Sequence, residues 1–106
     1  FENSMFVKFR QTALFEYAIL EKWLQSKKTD LSLFIELAKF YNNNVQLQCN
    51  ILKLFIKKMG QRRNFDLIEQ IRTKIRSKSI PAIKEDSTCT SSLLLVIKNE
   101  LDALTS

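Results

Sequence analysis

Apolar residues recur along this chain at three- and four-residue spacings from Phe6 to Leu104, the period of helices packed on one face. Two neighbouring stretches depart from a simple one-sided pattern. LSLFIELAKFY, residues 31–41, is interrupted on one side only, by Ser32, Glu36 and Lys39, and VQLQCNILKLFIKKM, residues 45–59, carries a comparable line of Gln46, Asn50, Lys53 and Lys57. Polar residues at such spacings draw a thin line down a helix and leave most of its circumference apolar. A helix of that kind has to be covered on two or more sides. The pattern therefore predicts a central antiparallel hairpin over 29–60, turned at Asn42-Asn43-Asn44, with other helices on its flanks.

The remaining elements follow in order. Residues 5–25 read as one long helix with an apolar line through Phe6, Phe9, Ala13, Tyr17, Leu20 and Leu24, and with Phe15 and Trp23 to either side. These aromatics are expected to fill core space, the alternative being an exposed aromatic surface for a partner. Thr29 or Asp30 supplies an N-cap to the next helix, and the asparagines end that helix and cap the following one. Gly60, the only glycine, follows Lys57-Lys58-Met59 and is the expected helix stop. Asn64 caps a fourth helix with Phe65, Ile68, Ile71 and Ile75 on its buried side and a basic face opposite and beside them. Pro81 and the polar run KEDSTCTSS predict a surface loop over 80–92. A last helix is expected from about Ser92, with Leu93, Ile97, Leu101 and Leu104 facing the bundle.

The fold class is thus all-α, a compact bundle of about five helices with a central hairpin, in a single domain over residues 1–106. One glycine and one proline in 106 residues fit that reading, because strands and tight turns would need more of both. The chain opens on Phe1, so it is expected to be excised from a longer protein.

Composition narrows the chemistry. With no histidine, the commonest general acid-base group and neutral metal ligand is missing. The two cysteines, Cys49 and Cys89, have no CxxC spacing, and one glycine permits no phosphate-cradling or nucleophile-elbow motif. We therefore expect no enzyme, no cofactor and no metal. A disulfide between the two cysteines stays open, a reducing compartment being preferred. No apolar run approaches the roughly 20 residues of a membrane span, so no membrane partner is expected.

Charge placement is the strongest functional signal. Between residues 57 and 78 stand eight basic side chains, Lys57, Lys58, Arg62, Arg63, Arg72, Lys74, Arg76 and Lys78, against Asp66 and Glu69; the nine basic and nine acidic residues elsewhere cancel, so the whole net charge of +6 falls here. Such a cluster meets an acidic protein segment, neutralises nucleic-acid phosphates, or is simply a solvated face. Asp66 at the start of the fourth helix speaks against base reading there. The hairpin with its IKKM segment, 56–59, resembles the C-terminal scaffold domain of a translesion DNA polymerase. The Phe40-Tyr41-Asn42-Asn43-Asn44 turn followed by an apolar helix is similar to C-terminal helical domains of small-subunit processome WD-repeat proteins. Both similarities cover helix spacing alone, and no family is assigned on them. The expectation is a non-catalytic scaffold or adaptor domain of a larger nuclear, intracellular assembly. It would bind a protein partner through apolar grooves between helices and the basic surface. Nucleic-acid backbone binding through 57–78 is the alternative, and a secreted cytokine-like ligand the second alternative.

Overall fold

The computed structural model describes residues 4–84 and 88–104, with side chains of the first helix described from Leu14 onward. Among these residues there are five helices and no strands: α1 Ser4–Ser26, α2 Leu31–Phe40, α3 Val45–Gln61, α4 Phe65–Arg76 and α5 Thr88–Asp102. The all-α bundle of about five helices is therefore the fold, and no helix is long and apolar enough to cross a membrane among the described residues.

Helix α3 is the hub. It packs against α1, α2, α4 and α5, and α2 and α4 also touch one another. Ile51, Leu52, Phe55, Ile56 and Met59 of α3 are fully buried, and so are Phe34, Leu37 and Ala38 of α2. Phe34 meets Phe55 edge to face with ring centroids 5.5 Å apart at the centre of the hairpin, an arrangement that adds quadrupole attraction to plain area burial. Ile68 and Ile71 from α4 and Leu93 and Ile97 from α5 complete the same core. The thin polar lines of the hairpin are thus explained over most of its length: the apolar remainder is in contact with neighbours, except at the turn end, where Phe40 and Val45 are exposed.

Helix starts are set by short side-chain oxygens. Asp30, Asn44 and Asn64 each accept from the backbone N–H three residues on, at 3.1, 3.1 and 3.4 Å. Each satisfies one orphan donor of a first turn. Helix ends are less orthodox. Gly60 lies inside α3, without the left-handed conformation expected of a stop. The Glu100 side chain of α5 lies against it, where a Cβ would push the flexible carboxylate aside. The left-handed residue is Arg63, with φ 59°. The Asn64 N–H reaches the Met59 carbonyl at 2.8 Å and the Arg63 N–H reaches that of Gly60 at 3.0 Å, which is the paired bonding of a Schellman ending. Helix α4 ends the same way at Lys78, φ 57°, with Ser79 bonded to Lys74 and Lys78 to Ile75.

Three further features depart from the residue pattern. The line of α1 that meets α3 contains Glu16, Leu20 and Leu24, whereas Tyr17 is 45% exposed. Glu16 is accommodated because Asn50 donates to it at 2.9 Å; Phe6, Phe9 and Ala13 lie outside the described side chains. The segment expected as a loop over 80–92 is partly core and partly helix: Ile80 and Ile83 are buried, and α5 begins at Thr88, placing Cys89 in line with Leu93 and Ile97. The i, i+4, i+8 apolar line outweighs the weak helix propensity of Thr and Ser. At the other end Leu104 follows the end of α5 and is exposed.

Gln48 ties the pieces together. It sits in the apolar sector of α3, 3% exposed. Its Nε2 donates to the Ala38 carbonyl at 2.7 Å and to the Ala82 carbonyl at 3.0 Å. The first is one of the last-turn carbonyls of α2, which has no helical donor of its own. The second belongs to the segment leading to α5. One amide therefore anchors two carbonyls from distant parts of the chain.

Replacing Gln48 by Leu leaves both carbonyls without that donor, and we expect a loss of about 2–4 kcal/mol in urea unfolding. Arg63→Gly and Lys78→Gly should act oppositely, each raising stability by about 1 kcal/mol by relieving the left-handed strain.

Candidate functional site

The structure divides the eight predicted basic residues. Lys58 is taken up by the fold: its Nζ lies 3.2 Å from Glu21 Oε1 and donates to Tyr17 Oη at 3.3 Å, above the Tyr17 ring. These contacts pin α1 onto α3. The Tyr17 hydrogen bond first, and then that to Glu21, raise the Lys58 pKa above 10.5. Arg72 pairs with Glu69 one turn back on α4 and is half-buried. The other six point outward, in two groups.

Lys57, Arg62 and Arg63 stand exposed at the corner between α3 and α4, with the Arg63 guanidinium over the Phe65 ring at 5.3 Å. Arg76 and Lys78 stand at the opposite end of α4, with Lys74 nearby on another side of the helix. A 12-residue helix separates the groups, roughly 18 Å at 1.5 Å per residue. That is about twice the screening length at physiological salt. On α4 itself Arg72 and Arg76, four residues apart, share one side of the helix. Arg72 and Lys74, two residues apart, point to nearly opposite sides of the buried line.

The second group borders a cleft. Its floor is Ile75, Ile80, Ile83, Pro81 and Leu94, and Arg76, Lys78 and Lys84 stand around it; the volume is about 510 Å³. The wall is held by local bonding, since Thr90 Oγ1 donates to the Lys84 carbonyl at 3.0 Å. Lys84 lies beyond Pro81, outside the basic run 57–78, and only the return of the 79–84 segment brings it to the same cleft as Arg76.

A second groove, of about 530 Å³, lies between α1, α2 and the start of α3. Phe15, Trp23, Phe40, Tyr41, Ile19 and Leu47 line it, with Lys22 and Lys27 at its edge. Trp23 meets Phe40 and Tyr41 edge to face at 5.3 and 6.4 Å and donates to Tyr41 Oη at 3.4 Å. Phe15 and Phe40 remain 62% and 66% exposed. The expectation that α1 aromatics fill core space is thus overturned for Phe15 and Tyr17. Phe34 and Phe55 occupy the centre, and α1 reaches the core through Leu20 and Leu24. Lys27 is engaged by Glu36 at 3.1 Å and by the Trp23 ring.

Among the described residues no three His, Cys, Asp or Glu side chains converge as metal ligands. Glu85 and Asp86, the adjacent carboxylates of the sequence, lie outside the described residues. Cys49 and Cys89 are both free and buried. Burial pushes the Cys89 thiol from 9.0 up to about 12, with a hydrogen bond from that thiol to the Cys49 sulfur adding to the effect and Lys53 opposing it. No protein family, no curated protein and no solved structure matches the chain.

The three shifted groups act in the same direction at alkaline pH, the third being Lys98, which its hydrogen bond to Asp102 holds above its ordinary value. A thiol whose folded pKa is raised stabilises the fold below its unfolded value and loses that contribution as pH climbs through the shifted one. Lys58 likewise loses its pairing above its raised pKa. Stability should therefore fall from pH 9.0 toward about 12. In Cys89→Ala the early part of that fall, measured by urea midpoints across the range, should flatten.

Proposed function

We propose that this chain is a non-catalytic helical protein-interaction domain of a larger nuclear assembly, and that it takes an acidic, partly apolar segment of a protein partner in the cleft between α4, residues 79–84 and α5. The observation that carries this reading is the pairing of an apolar floor, Ile75, Ile80, Ile83 and Leu94, with the cationic edge of Arg76, Lys78 and Lys84. Apolar side chains of a partner gain by leaving water there, and acidic residues flanking them meet cations that fix their orientation. The Arg63 and Lys78 backbones support a role for charge at the surface. Glycine is the favoured residue at both positions, and each holds a cation at a conformational cost. The exposed Phe15 and Phe40 of the second groove fit further contact with a partner protein, since large exposed aromatics in one concave place are typical of interfaces.

A second reading rests on the other cationic group. Lys57, Arg62 and Arg63 project from one corner of the bundle, and Lys57 and Arg62 have no ion pair among the described residues. Three cations at a corner suit phosphate-backbone contact, with affinity that falls steeply with salt.

The test uses synthetic amphipathic helical peptides with leucines on one face and glutamates, or lysines, on the other. Short single-stranded and duplex oligonucleotides are run beside them. We expect the acidic peptide to bind, with modest salt dependence, and Arg76→Glu with Lys78→Glu to weaken it at least about tenfold, the scale of two lost charge contacts. Arg62→Glu should leave it unchanged. Oligonucleotide binding abolished by Arg62→Glu, with no peptide binding, would overturn the protein-partner reading in favour of the corner. Silence of both charge reversals would sink both.

A further inference from the structure

The chain's two cysteines are 40 residues apart in sequence, and the fold brings them together at the seam between its hub and its closing helix. Cys49 lies in the second turn of α3 and Cys89 in the first turn of α5. The Cys49 Sγ is 4.0 Å from the Cys89 carbonyl oxygen. The Cys49 thiol therefore lies against the residue that carries the second one. Both side chains are nearly closed off from water, at 7% and 3% exposure. Neither is engaged by the cleft or the aromatic groove.

We propose that Cys49 and Cys89 form a reversible disulfide that clips the first turn of α5 to α3, with a small-molecule disulfide of the glutathione class as oxidant. The exchange balances in two steps. A cysteine thiolate of the protein attacks one sulfur of glutathione disulfide, giving a mixed disulfide and releasing one glutathione thiolate. The second cysteine, as thiolate, then attacks the protein-side sulfur of the mixed disulfide, forms the Cys49–Cys89 bond and expels the second glutathione. Two protein thiols are oxidised, one glutathione disulfide is reduced to two thiols, and each released thiolate takes up a proton that a protein thiol gave up.

The location decides the kinetics and the effect. Thiolate is the reactive species, and with the Cys89 thiol held near 12 in the closed fold the reaction has to wait for an opening of the first turn of α5. Helix ends open far more often than the whole molecule unfolds. Once formed, the bond closes a loop from α3 to α5 that contains all of α4. A loop of that length takes considerable freedom from the unfolded chain. The clip also bears on the wall that presents Thr90 and Leu94.

The experiment incubates the full chain with glutathione disulfide under native conditions, blocks residual thiols with an alkylating reagent and measures intact mass, peptide linkage and thermal unfolding. The expected product has lost two hydrogens, carries no glutathione and links the peptides containing residues 49 and 89. Its Tm should rise on the order of 10 °C and return when dithiothreitol is added. Urea below the unfolding transition should speed the reaction. Cys49→Ala and Cys89→Ala should each give at most a glutathione adduct, with no rise in Tm. The proposal is overturned if the wild-type chain stays reduced where the α5 end opens, if it ends with glutathione attached and no internal bond, if it forms only intermolecular disulfides, or if the internal bond lowers Tm.

Discussion

Helix α3 has to be covered by other parts of the same chain over most of its circumference, and nearly every other feature follows from how that is done. α1, α2, α4 and α5 all lie against it, so the core is a sleeve of side chains around Phe55, Leu52, Ile56 and Met59. A single buried amide is admitted into that sleeve. Gln48 is tolerated because both of its contacts are carbonyls that lack other donors: one ends α2, the other belongs to the strap that leads to α5. The amide costs burial of a polar group and in return fixes the relative placement of three segments. An apolar side chain there would pack without aligning them.

The same economy governs the surface charges. Lys58 and Arg72 look like the other cations in sequence but are spent on Glu21 and Glu69 within the bundle. The other six of the eight stand exposed in two separate groups at the two ends of α4. Two of those residues, Arg63 and Lys78, occupy left-handed helix exits that glycine would fill with less strain. The only glycine is placed elsewhere, inside α3, where the flexible Glu100 side chain lies against it. Local conformational preference thus yields at both helix exits, each of which carries a cation. This is the pattern expected where sequence choice serves more than backbone comfort.

The acidic-segment reading and the disulfide clip meet at the first turns of α5. Leu94 and Thr90 look into the cleft while Cys89 looks into the core toward Cys49. A change in how tightly that turn is held therefore acts on the cleft wall without touching its cations.

By itself the sequence determined the helical class, the order of the five helices and the caps at Asp30, Asn44 and Asn64, because these depend on spacing along one chain and on short side chains bonding to nearby backbone. It also determined that the hairpin would be central, since a helix apolar on most sides has no stable solvent-facing orientation. Only the tertiary structure decided which face each helix turned inward. Glu16 rather than Tyr17 takes the buried position on α1, because Asn50 is there to donate to it, while Tyr17 meets α3 at the surface through Lys58. Likewise Ile80, Ile83 and Cys89 belong to the core, because the segment around Pro81 doubles back where residue pattern alone reads as loop. The candidate surfaces lie at the same level of organisation. Lys84 joins Arg76, Phe40 joins Trp23 and Cys49 joins Cys89 across distances in sequence that no periodicity spans, since each pairing depends on the angle and register at which two helices pack.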